Sequence, residues 1–256
     1  MNTVGVLSNN TRRSVVDLKD KVVLLTGGTA GIGREIARQM KAKGAKVTLT
    51  GRNPARLTAM REEGFDVMEA ELSSARGVDT LLAEWGTKEL DVLVNNAGYE
   101  IAHDFRAGEP DADAADDSVY TNLQAPVRLI TGLMPTLRRS PLAAIVNVTS
   151  GLALAPAAGT PLYCGTKSAL RFYTLGLREQ LKDFGIHVVE ALPPVVDTQA
   201  HEGKTYKKMP PEECARQILV AVERDRNEAN VGMVNTLRLL ESISPAFMRR
   251  MMLRSF

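Results

Sequence analysis

Metal ligands and disulfide partners are scarce in this chain. It has two cysteines, Cys164 and Cys214, which form neither a metal-ligand spacing nor a small disulfide framework. Its three histidines, His103, His187 and His201, lie far apart and make no cluster. No metal site is therefore expected, and a reducing cytoplasm is the simplest compartment. There is no run of about twenty apolar residues, so no segment is expected to span a bilayer. Residues 1–18 are polar and irregular, and no long apolar stretch follows Arg12 and Arg13. They do not read as a signal peptide but as a flexible N-terminal tail. An excess of one charge is also missing. With 32 Lys and Arg against 30 Asp and Glu, the formal net charge is +2. That balance gives no strong pull toward nucleic acid.

What the chain does have is a regular alternation of short apolar runs and amphipathic segments. Runs at Val22–Thr26, Val47–Thr50, Phe65–Ala70, Val92–Val94, Ile145–Val148 and His187–Ala191 read as strands. Helical periodicity fills 32–43, with Gly44 at its C-cap, and Pro54 opens a second helix. Further helices are expected around 78–85, 118–134 and 211–226, and one runs from Tyr163 to about Phe184, where Gly185 stops it. Residues 99–117 read as an acidic loop. Such alternation implies an α/β fold: a doubly wound parallel sheet, Rossmann-like, flanked by helices on both faces in a single domain. The continuous apolar strands fit burial on both faces. The domain is expected over 19–237, followed at 238–256 by an amphipathic helical tail.

The first strand leads directly into Thr26-Gly27-Gly28-Thr29-Ala30-Gly31-Ile32-Gly33. Glycines there let the backbone turn tightly and let a phosphate approach the free N–H groups of a helix start. The glycines at 27, 31 and 33 have a wider first gap than Gly-x-Gly-x-x-Gly. Placed after strand one of a doubly wound pattern, this turn points to a dinucleotide. An acid at the end of strand two would favour NAD; this chain has Thr50-Gly51-Arg52-Asn53 instead. Arg52 offers a planar fork for a 2′-phosphate, so NADP(H) is preferred over NAD(H). The plainer reading of Arg52 is a solvated loop arginine, and Arg34 is a weaker second candidate.

Tyr163 and Lys167, four residues apart, share one helical face. A phenol has an ordinary pKa of about 10. A nearby ammonium favours phenolate and eases proton exchange with a substrate oxygen. Ser150 offers a hydroxyl to the same oxygen. Taken alone, most Tyr-x-x-x-Lys pairs are simply helix surface.

Thr26–Gly33, Asn95-Asn96-Ala97-Gly98, Asn122, Ser150 and Tyr163-x-x-x-Lys167 occur together and in order. On these motifs the chain resembles the short-chain dehydrogenase/reductase family, over roughly residues 20–225. The resemblance implies that Tyr163 is the general acid in reduction and the base in oxidation. It implies that Ser150 binds the substrate oxygen and that Lys167 binds the nicotinamide ribose. Asn122 would anchor a water that extends the proton relay. Asn95, Ala97 and Gly98 would line the adenosine and ribose region and brace the central sheet, although the same stretch also reads as a strand-ending turn. Glu71-Leu72 stand where the family usually has an aspartate and an aliphatic residue against adenine. Pro193-Pro194 replace the family's Pro-Gly, and Val196 and Thr198 follow, with Thr198 at the nicotinamide carboxamide position.

The resulting expectation is hydride transfer between NADP(H) and a small carbonyl or alcohol substrate. Leu152, Leu154, Pro156, Val195 and Val196 suggest an apolar lining. The segment at about 197–211 is short for a lid and includes Lys204–Lys208. An alternative is a catalytically silent NADP(H)-binding sensor or scaffold with the same fold, though an intact Asn122, Ser150, Tyr163 and Lys167 set weighs against it. A non-redox dehydration or epimerisation at the same site is a third. A homodimer or homotetramer is expected. The methionine-rich basic tail, with arginines at 249, 250 and 254, reads as a helix docked on its own subunit, on a partner, or on a membrane surface.

Overall fold

A computed structural model describes residues 16–101, 103–198 and 208–255. Among them seven strands form one sheet in the order β3-β2-β1-β4-β5-β6-β7, and every pairing is parallel. The strands are β1 (Val22–Leu25), β2 (Lys46–Gly51), β3 (Asp66–Glu69), β4 (Val92–Asn95), β5 (Ala143–Val148), β6 (Ile186–Leu192) and β7 (Glu228–Asn230). The helices are α1 (Gly31–Ala42), α2 (Pro54–Glu62), α3 (Ala75–Trp85), α4 (Ala112–Val119), α5 (Ala125–Leu137), α6 (Pro161–Leu181), α7 (Pro211–Glu223), α8 (Val234–Ile243) and α9 (Pro245–Ser255). The expected doubly wound α/β architecture is therefore present in a single domain.

Period-two side-chain alternation divides the core into two layers. Val23, Leu25, Val47, Leu49, Val92 and Val94 face Ile36 and Met40 of α1, Leu57 of α2 and Ile218 and Val222 of α7. Their neighbours Leu24, Met68, Leu93 and Ile145 face Val78 and Trp85 of α3, Leu129 and Leu133 of α5 and Leu177 of α6. Strand order reverses at β1, between β2 on one side and β4 on the other. The carboxyl ends of β1 and β4 thus open the crevice where ligands bind in such sheets.

Four local features depart from the sequence expectations. The acidic stretch before 118 is helical from Ala112, because Asp111 Oδ1 accepts the Ala114 N–H at 3.1 Å and caps α4. Helix α4 then runs into α5 through a π-turn at Tyr120–Gln124, which carries Asn122. Pro126, with no N–H, cannot close an α-turn onto the Asn122 carbonyl. Strand β7 was not legible because Glu228-Ala229-Asn230 has no apolar run; it pairs along one side of β6. The C-terminal segment is a pair of helices, with α8 starting at Val234 and a break at Ser244 before Pro245.

Residues 1–15 of the expected tail, and residues 199–207 of the segment after β6, lie outside the described residues. Val16 and Leu18 are buried in the layer beneath α1. These two residues of the expected tail thus contribute to the core.

The β6 end of the sheet holds a buried ion cluster. Arg171 of α6 donates to Glu190 of β6, and at 3.2 Å to Glu228. Thr149 Oγ1 donates to Glu190 Oε1 at 2.8 Å. Arg238 of α8 donates to both Glu228 oxygens at 3.0 and 3.1 Å. Burial holds the Glu190 carboxyl above its ordinary pKa despite the Arg171 guanidinium. Removing one member of such a cluster strands the other charge. Arg171→Ala is expected to lower stability by about 3–5 kcal/mol in urea unfolding. A loss under about 1 kcal/mol would mean that the pair is solvated rather than buried.

Candidate active site

The residues at the carboxyl edge of the sheet line a cleft of about 590 Å³. Its floor is the turn between β1 and α1. Helix α1 has Ala30 at its N-cap, with no side-chain cap on its first-turn N–H groups and no acid nearby. Gly33 is required by close approach, since a Cβ there would lie 2.3 Å from the Gly27 oxygen and 2.4 Å from Asn96 Nδ2. Thr26 laces this turn to the one after β4: Asn96 N and Ala97 N each donate to Thr26 Oγ1 at 3.1 Å. Asn96 Nδ2 donates to the Thr26 and Gly27 carbonyls at 3.0 Å. A narrow, uncapped helix start with small residues is a fitting cradle for a pyrophosphate.

The structure brings nearly all the expected dinucleotide residues to this one cleft. Gly27, Thr29, Gly31, Ile32 and Gly33 line it below. Arg52, Glu71 and Leu72 line one end, Ala97 and Gly98 the middle, and Pro193, Val196 and Thr198 the far wall. Ser150, Tyr163 and Lys167 close the other end. Asn95 departs from the expected lining but braces the central sheet: it lies in the interior, where its Nδ2 donates to Asn147 Oδ1 at 2.9 Å across β4 and β5, and Asn147 in turn donates to Thr174 at 2.9 Å. Strand alternation turns Asn95 toward α6 and leaves Asn96 at the cleft. Arg34, the second phosphate candidate, pairs with its neighbour Glu35 at 3.3 Å instead.

Asn122 sits just behind the lining. Its Oδ1 accepts the Tyr99 N–H at 3.0 Å, and its Nδ2 donates to the Tyr99 carbonyl at 2.9 Å. It also reaches Thr166 of α6 at 3.3 Å. One side chain thereby fixes the strand-four turn against the catalytic helix. Gly98 lies between them, and a Cβ there would stand 2.6 Å from Asn122 Oδ1 and 3.0 Å from Lys167 Nζ.

The proton-transfer end rests on α6. Lys167 is buried, and its Nζ donates to the Val148 carbonyl at the end of β5 at 3.0 Å. Burial lowers its pKa to about 8. The ammonium lies 5.6 Å from the centre of the Tyr163 ring. Ser150 Oγ accepts the Leu152 N–H at 3.1 Å, which fixes the hydroxyl at the mouth of the loop after β5. The Tyr163 phenol is held above its ordinary pKa by burial first and then by the charge of Glu100; its hydrogen bond with Ser150 works the other way. The direction is opposite to the one expected from a nearby ammonium, and desolvation is its leading cause.

Several lining residues were not singled out from the sequence: Asn53, Arg56, Tyr99, Glu100, Thr121 and Thr149. Asn53 caps α2 by accepting the Arg56 N–H at 3.0 Å, a signal readable in Asn-Pro before a helix. Tyr99 follows the Asn95–Gly98 turn directly. The C-terminal helices also reach this end. Met248 and Met252 of α9 are buried on Ala155, with Leu152, Leu154, Leu237 and Leu240 around them. The tail therefore docks on its own subunit, against the loop that follows Ser150. Among the described residues no helix is long and apolar enough to cross a membrane, and no group of His, Cys, Asp or Glu is placed to hold a metal.

Sheet and cleft together define a dinucleotide-binding α/β protein with a phenol, a hydroxyl and a buried ammonium at one end. The family model for short chain dehydrogenase matches residues 21–208. The chain belongs to that family, and is a dehydrogenase/reductase acting on CH–OH or C=O groups. It is 38% identical over 231 residues to the oxidoreductase DltE of Bacillus subtilis (strain 168), itself uncharacterized, covering 86% of this chain and 92% of that one. Among solved structures it is similar to a short-chain dehydrogenase from Sphingobium yanoikuyae in complex with NADPH. That match has 25% identity and a TM-score of 0.78, and covers 89% and 95% of the two chains. A short-chain dehydrogenase from Burkholderia cenocepacia J2315 in complex with NADP has the same fold at 21% identity, with a TM-score of 0.83 and coverage of 93% and 99%.

The buried lysine makes a pH prediction. Its pKa falls from 10.5 toward about 8 on folding. Between those values the unfolded chain holds more protons, so stability rises with pH. Without dinucleotide, the wild type should gain on Lys167→Met by up to about 1.4 kcal/mol per pH unit across that window. A difference that stays flat in chemical unfolding would show that Lys167 is solvated.

Proposed function

We propose that this chain interconverts an apolar ketone or aldehyde and its alcohol, with NADP(H) as the hydride carrier. The observation that carries the proposal is the meeting of Ser150, Tyr163 and Lys167 at one end of the cleft whose floor is Gly27–Gly33. A bound nicotinamide supplies or accepts the hydride. Gly31, Ile32 and Gly33 offer N–H groups to its pyrophosphate, and Arg52 faces the adenosine end. The residues fit the dinucleotide, because the N-terminus of α1 is uncapped, carries no acid in its first turn and opens on the cleft. The NADPH bound by the Sphingobium relative supports the phosphorylated cofactor.

In the reducing direction Tyr163 donates its phenolic proton as the carbonyl oxygen gains charge, and Ser150 shares that charge. The phenol holds its proton at neutral pH, so that proton is available to the carbonyl oxygen. Lys167 holds a positive charge beside the developing phenolate and offers donors to the nicotinamide ribose. Asn122 anchors a water for reprotonation; its carbonyl is the acceptor that Pro126 cannot bond. Ala97, Gly98, Glu71, Leu72, Pro193, Val196 and Thr198 surround the rest of the dinucleotide. Substrate lies over Leu152, Leu154 and Ala155, backed by α9. The exposed Phe172 on α6 supports subunit packing into a homodimer or homotetramer. The two free buried cysteines support a reducing compartment, the cytoplasm.

Tyr163→Phe should lower carbonyl reduction by about 10²–10⁴-fold while NADPH affinity changes little. Full turnover in that variant, followed by nicotinamide absorbance, would remove Tyr163 from the chemistry. Met252→Ala opens space behind Leu154, and should change KM among apolar carbonyls of different bulk far more than NADPH affinity. An unchanged substrate ranking would place the substrate away from the α9 wall.

A further inference from the structure

The strongest unassigned feature of the cleft is the side-chain pair at its adenosine end. Arg52 Nη1 donates to Glu71 Oε2 at 3.2 Å. The Arg52 guanidinium also stands 5.9 Å from the centre of the Tyr99 ring, within cation–π range. Both partners are placed by backbone. Gly51 is in register with Glu69, and Ala70 N donates to the Gly51 carbonyl at 2.9 Å, so the ends of β2 and β3 are joined just below the pair. Asn53 caps α2 on one side. On the other, Ser73 N donates to Glu71 Oε1 at 3.1 Å. Each Glu71 oxygen therefore already has a donor. A Cβ on Gly77 would stand 1.7 Å from the Glu71 carbonyl oxygen, so the backbone at Glu71 is held by close packing on the start of α3.

We propose that Glu71 is a specificity-determining residue that competes with the cofactor's 2′-phosphate for Arg52, and so limits the preference for NADP(H) over NAD(H). The inference rests on the reading of Arg52 as the 2′-phosphate ligand. A 2′-phosphate near Arg52 meets a guanidinium that is already half-neutralised by a fixed carboxylate. To bind, it must draw the guanidinium from Glu71 and remain beside that carboxylate's charge. A 2′-hydroxyl pays neither cost, because it is neutral and leaves the Arg52–Glu71 pair intact. Both side chains are substantially exposed, at 64% and 49%. Water and salt therefore screen the pair, and the competition is modest in size. The longer glutamate matters here: it reaches across to Arg52 from the strand-three turn.

Calorimetric titration of the full-length protein with NADP⁺ and with NAD⁺, which differ only in the 2′-phosphate, tests this. Glu71→Gln keeps the side-chain shape and removes the charge. It should raise the NADP⁺/NAD⁺ affinity ratio by about three- to tenfold, since any adenosine contact of Glu71 is common to both cofactors and cancels in the ratio. The NADP⁺ gain should shrink as salt is raised. An unchanged or lowered NADP⁺/NAD⁺ affinity ratio overturns the proposal. Arg52→Gln separates this from the underlying reading. If it leaves NADP⁺ affinity unchanged, Arg52 is not the phosphate ligand and both readings fall. If it weakens NADP⁺ while Glu71→Gln has no effect, only the competition is refuted. Glu71→Ala, with thermal melts of each variant, guards against an artefact of the amide.

Discussion

Lys167 is carried into the protein interior by the middle of α6, and the cleft is organised around the cost of keeping its charge there. An ammonium out of water needs acceptors, and the fold gives it the Val148 carbonyl where β5 runs out. That contact joins α6 to the end of the sheet. The absence of a side chain at Gly98 keeps the neighbouring turn close, and Asn122 ties the same turn to α6 through Thr166. Tyr163 follows from this, one helical turn back on the same face. Ser150 is two residues beyond Val148, just past the end of the strand that supplies the acceptor. The meeting of Ser150, Tyr163 and Lys167 at one end of the cleft thus goes together with how one buried cation is satisfied.

The parallel sheet does the rest by ending all its strands on one edge. The β1 and β4 ends build the phosphate cradle, the β2 and β3 ends bring Arg52 and Glu71 together, and β5 and β6 deliver Ser150 and Pro193. Behind β6 the Arg171–Glu190–Glu228–Arg238 cluster connects the catalytic helix to α8. Helix α9 then lies on the loop after Ser150. The C-terminal pair of helices is therefore packed against the loop that follows Ser150, and is held there by both ionic and apolar contacts.

The sequence made the strands and most helices legible because each layer of this fold is buried by a simple period. The glycine turn and the Tyr163, Lys167 and Ser150 set were also readable, since their chemistry depends on residue type and spacing. What escaped depends on contacts between distant parts. Strand β7 has no apolar run and exists because β6 offers an open edge. The start of α4 was hidden in an acidic stretch, although Asp111 is a capping residue. Asn95 and Asn96 are adjacent and identical, and only strand alternation decides which one meets the cleft. The direction of the Tyr163 pKa could not be read from a lysine four residues on, because burial is set by the whole fold. The Arg52–Glu71 pair joins two strand ends nineteen positions apart.

The central claim is that hydride passes between a nicotinamide and a carbonyl carbon in this cleft. It is tested most directly with NADPH carrying deuterium at its transferable position, incubated with the protein and a panel of apolar ketones and aldehydes. The account predicts alcohol products with deuterium on the carbinol carbon. Firm NADPH binding with no labelled alcohol from any member of the panel would contradict it.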